Sequence, residues 1–136
     1  MADSPLIKPA YGTTNPSPDK QAAMPAKRFA SVIGLNSDKE QYYRELHANA
    51  WPTIVDRIKK SNISNYSIHV GELDGKRYLF SYLEYTGTDF DTDMQAMNED
   101  FETKRWWKET DPCQRRLDGT PAGEQWLGME MVFLME

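Results

Sequence analysis

The chain is poor in the residues that build many familiar catalytic centres. Its 136 residues hold one cysteine, Cys113, and two histidines, His47 and His69. A lone thiol forms no internal disulfide, and with two imidazoles it makes a transition-metal site improbable. Positive charge is in deficit. Against 21 Asp and Glu stand 16 Lys and Arg, a net charge of -5, so no broad cationic surface for nucleic acid or anionic lipid is expected. No stretch approaches the ~20 apolar residues of a membrane helix. Also missing are a phosphate-binding Gly-rich loop, an H-E-x-x-H helix, a G-x-S-x-G elbow and a dinucleotide fingerprint. Cys113 follows Pro112 in a loop with no neighbouring histidine, and reads as incidental rather than nucleophilic. No metal is therefore expected. Any imidazole chemistry must use His47 or His69.

What is present is unevenly distributed. Residues 1–26 contain five of the eight prolines but only one aromatic, Tyr11. With little to bury, they are expected to form a Pro-rich mobile N-terminal arm. They lack an apolar run behind a basic start, so no secretory leader is expected and the cytoplasm is the expected compartment. Residues 27–136 are expected to form a single domain. Aromatics reach 12% of the chain and fall almost wholly in this part, which argues against disorder.

The order of elements can be read from pattern. Residues 28–36, RFASVIGLN, read as a strand. Ser37-Asp38-Lys39-Glu40 reads as a capping box opening a helix over about 38–60, kinked at Pro52 or restarted there. Residues 65–72 and 77–86 read as a hairpin around Asp74-Gly75. Residues 89–109 read as a helix that starts with acids, the order the helix dipole favours. Its acidic run reads as a solvated face, since a calcium loop would need a central glycine. Residues 111–125, with Pro112, Gly119, Pro121 and Gly123, read as a long loop, and 126–135 as a last strand. The result is an α+β fold of β-α-β-β-α-β order, ferredoxin-like, an antiparallel sheet with helices on one face.

Both faces of that sheet read as apolar. Tyr78, Phe80 and Tyr82 alternate with Leu79, Leu83 and Tyr85, and the last strand alternates Leu127, Met129 and Met131 with Trp126 and Val132. Two helices cover one face only, so a homodimer packed sheet to sheet is expected.

The first helix carries Tyr43, His47, Ala50, Ile54 and Ile58 at helical spacing, which places an ionisable ring on its apolar stripe. The pattern leaves two readings open. His47 is either a core histidine with satisfied hydrogen bonds or an acid/base group in a pocket between helix and sheet. Tyr66 shares a strand face with Ile68 and Val70 and would look toward His47, whereas His69 takes the other face. Trp106 and Trp107 lie about 100° apart on a helix, so both cannot join one core stripe. The second suggests a pocket or an interface, and aromatic faces suit the C–H faces of sugars.

In order along the chain, Tyr43-x-x-x-His47-x-x-x-Trp51-Pro52, Asn65-Tyr66-Ser67-Ile68, Trp106-Trp107-Lys108 and Val132-Phe133-Leu134 resemble the L-rhamnose mutarotase family over residues 28–135. The resemblance implies a dimeric α+β barrel of ferredoxin-like domains, without cofactor or metal, that interconverts the α and β anomers of L-rhamnose. It implies a monosaccharide substrate, His47 as proton donor, and Tyr43, Tyr66, Trp106 and Trp107 as sugar contacts. It assigns no catalytic base. The sequence departs from the family pattern at Thr53, where an acidic residue is usual. It departs again between Thr110 and Gln125, a longer and different segment expected to border the sugar, which leaves L-fucose or another 6-deoxy sugar open. Two rival functions share the residue set: a cofactor-free monooxygenase on the same dimeric fold, and a sugar-binding or regulatory domain without chemistry.

Overall fold

A computed structural model describes residues 7–136. Residues 1–6 of the expected arm lie outside the described residues. The rest of that segment carries the short helix α1 (Pro18–Ala22), a Gly12–Asn15 bridge, and a hydrogen bond from the Leu134 amide to the Thr14 carbonyl at 2.8 Å.

The domain follows the expected order, except that the 111–125 segment, expected as a loop, also contributes a two-residue strand paired with the end of the first strand. Strand β1 (Lys27–Leu35) leads into helices α2 (Glu40–Ala48) and α3 (Pro52–Lys60), then the hairpin β2 (Ile63–Leu73) and β3 (Lys76–Tyr85). Helices α4 (Phe90–Glu99) and α5 (Phe101–Thr110) follow, then the short strands β4 (Gln114–Arg115) and β5 (Leu127–Met129). The sheet order is β2-β3-β1-β4, with β5 also paired to β1, and every pairing is antiparallel. This is the ferredoxin-like arrangement of an α+β fold. Among the described residues, no helix is long and apolar enough to cross a membrane.

The buried cluster joins sheet to helices: Ile33 and Leu35 of β1, Leu79 of β3, Tyr43 of α2 and Cys113, with Ile68, Val70 and Trp126 packed against it. Alternation then sends Tyr78, Phe80 and Tyr82 to the outer face, where Tyr82 borders a cavity of about 370 Å³ with Ala30, Met129, Met131 and Phe133. The two apolar faces read from the strands are thus both present, and helices cover one.

Several boundaries differ from the sequence reading, each for a local reason. The expected single helix over 38–60 is two. Pro52 stands at the first helical position of α3, and Trp51 before it is extended (φ -59°, ψ 133°), because proline's ring disfavours helical backbone in the residue it follows. The Ser37–Glu40 capping box does not form. Ser37–Lys39 is a 3-10 turn, and the Glu40 carboxylate instead takes Arg77 through two bonds of 2.8 Å and Arg44 at 2.9 Å. Charge-assisted, bidentate bonds outcompete a neutral backbone N–H.

The helix expected over 89–109 is also two. Asp100 is extended (φ -69°, ψ 127°) and caps α5, accepting from the Thr103 amide and hydroxyl, each at 2.9 Å. Asp89 caps α4 in the same way through the Thr92 amide at 3.1 Å. Two members of the acidic run are therefore N-caps, a role that short acceptor side chains fill well. The hairpin turns on Asp74 (φ 50°) and Gly75 (φ 75°) in two residues, as the Asp-Gly pair demands. A bulge at Asn65 (φ 48°) shifts the β2–β3 register between Ser64 and Ser67. The last strand is shorter than 126–135. Only Leu127–Met129 pairs with β1, and further on the Leu134 amide bonds to the Thr14 carbonyl instead.

Candidate active site

Helix α2, strand β2, helix α5 and the segment after α5 enclose a cavity of about 340 Å³. All five residues singled out from sequence line it: Tyr43, His47, Tyr66, Trp106 and Trp107. His69 does not. It is exposed, and its Nε2 lies 3.0 Å from the Ser67 hydroxyl.

The aromatic residues are stacked into one wall. The Tyr43 and His47 rings, one helical turn apart, stack at 4.0 Å between centroids with planes 26° apart. Trp106 meets His47 edge-on at 5.1 Å and Trp51 edge-on at 5.0 Å. The Arg105 guanidinium lies 4.0 Å above the Trp51 ring. Trp106 is only 7% exposed and serves as an anchor, while Trp107, the residue that cannot share its stripe, is half-buried in the same cavity wall.

His47 is oriented by its own helix. Its Nδ1 lies 2.8 Å from the Tyr43 carbonyl oxygen. A carbonyl only accepts, so Nδ1 carries the hydrogen and Nε2 is left as the nitrogen available for chemistry. Burial pulls the imidazole pKa below its ordinary 6.5, and the bond to Tyr43 works against that shift. Burial pushes the Tyr43 phenol well above its usual range, and drives Tyr66 in the same direction. Both phenols stay protonated near neutrality and serve as hydrogen-bond donors and acceptors.

The remaining wall was not singled out from sequence. Asn98, Thr110, Asp111, Gln114, Gln125 and Trp126 add polar groups. Several come from the 110–125 segment that was expected to border the sugar. Asp111 had a legible signal, since it lies four residues beyond Trp107 and so on the same helical side. Gln114 and Trp126 had none, because a two-residue strand and a strand end carry too little periodicity. Burial raises the Asp111 carboxyl above its ordinary 3.8.

Two devices hold this segment. The Arg116 guanidinium donates to the carbonyls of Glu124 (2.9 Å), Thr120 (2.7 Å) and Pro121 (2.8 Å), which closes the loop on itself. Gln125 Nε2 donates to Gln114 Oε1 at 3.3 Å across the cavity wall. Among the described residues no group of three or more His, Cys, Asp and Glu side chains is placed to hold a metal ion. A half-enclosed aromatic cavity with polar edges and one imidazole can bind a small polyhydroxylated molecule and move a proton on it.

Comparison with known proteins converges on one family. The family model described as L-rhamnose mutarotase matches residues 28–135. The L-rhamnose mutarotase of Bacillus subtilis (strain 168) is 30% identical over 111 residues, 81% of this chain and 99% of that protein. The L-rhamnose mutarotase of Formosa agariphila is 32% identical over 111 residues, with the same coverage of 81% and 99%. A crystal structure of an L-rhamnose mutarotase from Formosa agariphila superposes with a TM-score of 0.59 at 25% identity, covering 81% of this chain and 99% of that one. On its fold, its cavity and these matches, the chain belongs to the L-rhamnose mutarotase family and is an isomerase acting on carbohydrates.

Proposed function

We propose that this chain interconverts the α and β anomers of L-rhamnose, or of a related 6-deoxy sugar, by general acid/base ring opening with His47 as proton donor. The observation that carries the reading is the convergence of Tyr43, His47, Tyr66, Trp106 and Trp107 on one cavity. The names of the relatives from Bacillus subtilis and Formosa agariphila support the sugar.

Protonated His47 gives the Nε2 proton to the ring oxygen as the bond to the anomeric carbon breaks. The open aldehyde rotates, and the ring closes on either face. Tyr43 and Tyr66 orient hydroxyl groups, and the Trp106–Trp107 wall packs on the C–H face of the ring. Free sugars undergo this reaction slowly in water, so positioning and one proton-transfer group, worth about 10²–10⁴ in rate, suffice.

The proposed assembly is a homodimer joined through the outer sheet face. Met129, Phe133 and Met135 stand 43%, 60% and 79% exposed on and beyond β5 in the single chain. The proposed compartment is the cytoplasm.

The test is anomer exchange of L-rhamnose, followed by polarimetry or NMR, with wild type and His47→Asn. Asparagine can keep the donor to the Tyr43 carbonyl and lacks Nε2. The expected result is a fall in kcat of about 10²–10⁴ with the fold retained. Full activity in His47→Asn removes His47 from the mechanism. Saturable sugar binding without acceleration by the wild type removes the enzyme reading. Sedimentation equilibrium at micromolar concentration tests the dimer, and a monomer refutes it.

A further inference from the structure

Anomer exchange moves protons at two oxygens, and the reading above supplies a group for one of them. We propose that Asp111 is the second proton-transfer residue of the cavity, taking the anomeric hydroxyl proton while His47 protonates the ring oxygen. The inference rests on the mutarotase reading and assigns the base that the reading leaves open.

The composition of the cavity wall carries it first. Among the described residues, Asp111 is the single carboxylate that lines the cavity, and no Lys, Arg or Glu lines the wall. The titratable groups that share the cavity with Asp111 are His47 and Tyr43 from α2 and Tyr66 from β2. Both phenols are held protonated by burial, so neither takes a proton near neutrality. With His47 acting as the acid, the carboxylate is the remaining base.

The position of Asp111 is also fixed. Its amide donates to the Trp107 carbonyl at the end of α5. The next residues are tied to the end of β1: the Asn36 amide donates to the Cys113 carbonyl at 2.8 Å, and Asn36 Nδ2 donates to the Pro112 carbonyl at 3.1 Å. A group pinned on both sides meets the positional demand of proton transfer. Among the described residues, no side chain or backbone group hydrogen-bonds its carboxyl. Asp93, Asp100 and Glu84 are each held low by hydrogen bonds from neighbouring side chains or backbone. Asp111 itself is an exposed residue that borders the cavity, and partial desolvation is the one influence that raises its carboxyl above the ordinary value.

The step balances. In the ring-closed sugar the anomeric O–H proton passes to the Asp111 carboxylate. The anomeric C–O bond becomes a carbonyl, the bond from the anomeric carbon to the ring oxygen breaks, and its electron pair takes the Nε2 proton of imidazolium His47. The intermediate is the open aldehyde with Asp111 protonated and His47 neutral. After rotation, the hydroxyl returns its proton to Nε2 and attacks the carbonyl carbon. The carbonyl oxygen recovers the proton from Asp111, and both groups end as they began. No oxidant, reductant or co-reactant enters.

The test compares full-length wild type, Asp111→Asn and Asp111→Glu in anomer exchange over a panel of L-rhamnose, L-fucose and D-glucose, as a function of pH. Wild type is expected to lose kcat/KM on the acid side with a midpoint above 3.8, the ordinary value of the group. Asp111→Asn is expected to lose about 10²–10⁴ in kcat, with KM changed no more than a few-fold, and to lose the acid limb. Asp111→Glu is expected to recover part of kcat and restore the limb. A merely structural role would move KM and stability and leave the limb in place. Wild-type kcat in Asp111→Asn, or an acid limb unchanged by the substitution, overturns the role of Asp111 while leaving the mutarotase reading intact. If Asp111→Asn does not fold, Asp111→Glu and the wild-type profile decide, and a wild-type profile flat to pH 4 overturns the proposal. Absence of any acceleration by wild type across the panel overturns the mutarotase reading, and the role of Asp111 with it.

Discussion

Glu40 ties the helix that carries Tyr43 and His47 to the sheet, and its replacement by glutamine gives a test with a calculable size. The carboxylate receives Arg77 Nε on Oε1 and an Arg77 terminal nitrogen on Oε2, both at 2.8 Å, and Arg44 Nε at 2.9 Å. The Arg77 bonds are the largest cause that lowers its pKa, from 4.5 to about 2, with Arg44 adding to them and burial opposing. At 1.36 kcal/mol per pKa unit this shift would correspond to about 3 kcal/mol in a dry site. The Glu40 side chain is 16% exposed and that of Arg77 is 30% exposed, so water screens the pair and about 1–2 kcal/mol is expected. The sign follows from linkage. A carboxyl with a depressed folded-state pKa contributes stability that is complete above 4.5 and is lost as pH falls toward about 2. Urea unfolding at fixed protein concentration should therefore show Glu40→Gln less stable by about 1–2 kcal/mol at pH 7, with the gap closing between pH 4.5 and about 2. The substitution should cost less when Arg77 is already replaced. Superimposable wild-type and Glu40→Gln curves across that range would refute the reasoning.

Two more perturbations probe the packing around the cavity. A Cβ at Gly34 would lie 2.7 Å from the Arg115 guanidinium and 2.9 Å from the Arg115 carbonyl oxygen, so Gly34→Ala must push β4 away from β1. A loss of about 1–3 kcal/mol and a lower Tm are expected, and an unchanged Tm in calorimetry would count against the β1–β4 pairing. Cys113 is 1% exposed and burial raises its thiol, so the native protein should react with a thiol reagent far more slowly than the protein in guanidinium. Stoichiometric reaction of the native form within seconds would show that the core around Tyr43 opens freely.

Much of the architecture was legible because it depends on neighbours in sequence. The Asp74-Gly75 pair dictates a two-residue hairpin, because both positions adopt positive φ. The alternation of Tyr78, Phe80 and Tyr82 with Leu79, Leu83 and Tyr85 fixed which side chains face the helices. The helical breaks were less legible. Pro52 signalled a boundary but left kink and restart indistinguishable, whereas Asp100 lay inside a continuous helical propensity and declared itself a cap only through its bonds to Thr103. Glu40 had the spacing of a capping box, and a residue 37 positions away claimed its carboxylate instead.

The candidate site divides along the same line. Helical spacing alone put Tyr43 and His47 on one face, and the angle between adjacent helix positions separated Trp106 from Trp107. These are local facts, set by backbone geometry. That α2, β2 and α5 close on a common cavity, that Trp106 stands between His47 and Trp51, and that Asp111 and Gln114 join them were decided by the tertiary structure. Contacts across the sheet and through the 110–125 segment depend on registers and on bonds such as those of Arg116 and Asn36, which link residues by packing rather than by spacing. The sequence by itself determined which side chains face inward; the packing of distant segments decided which of them meet.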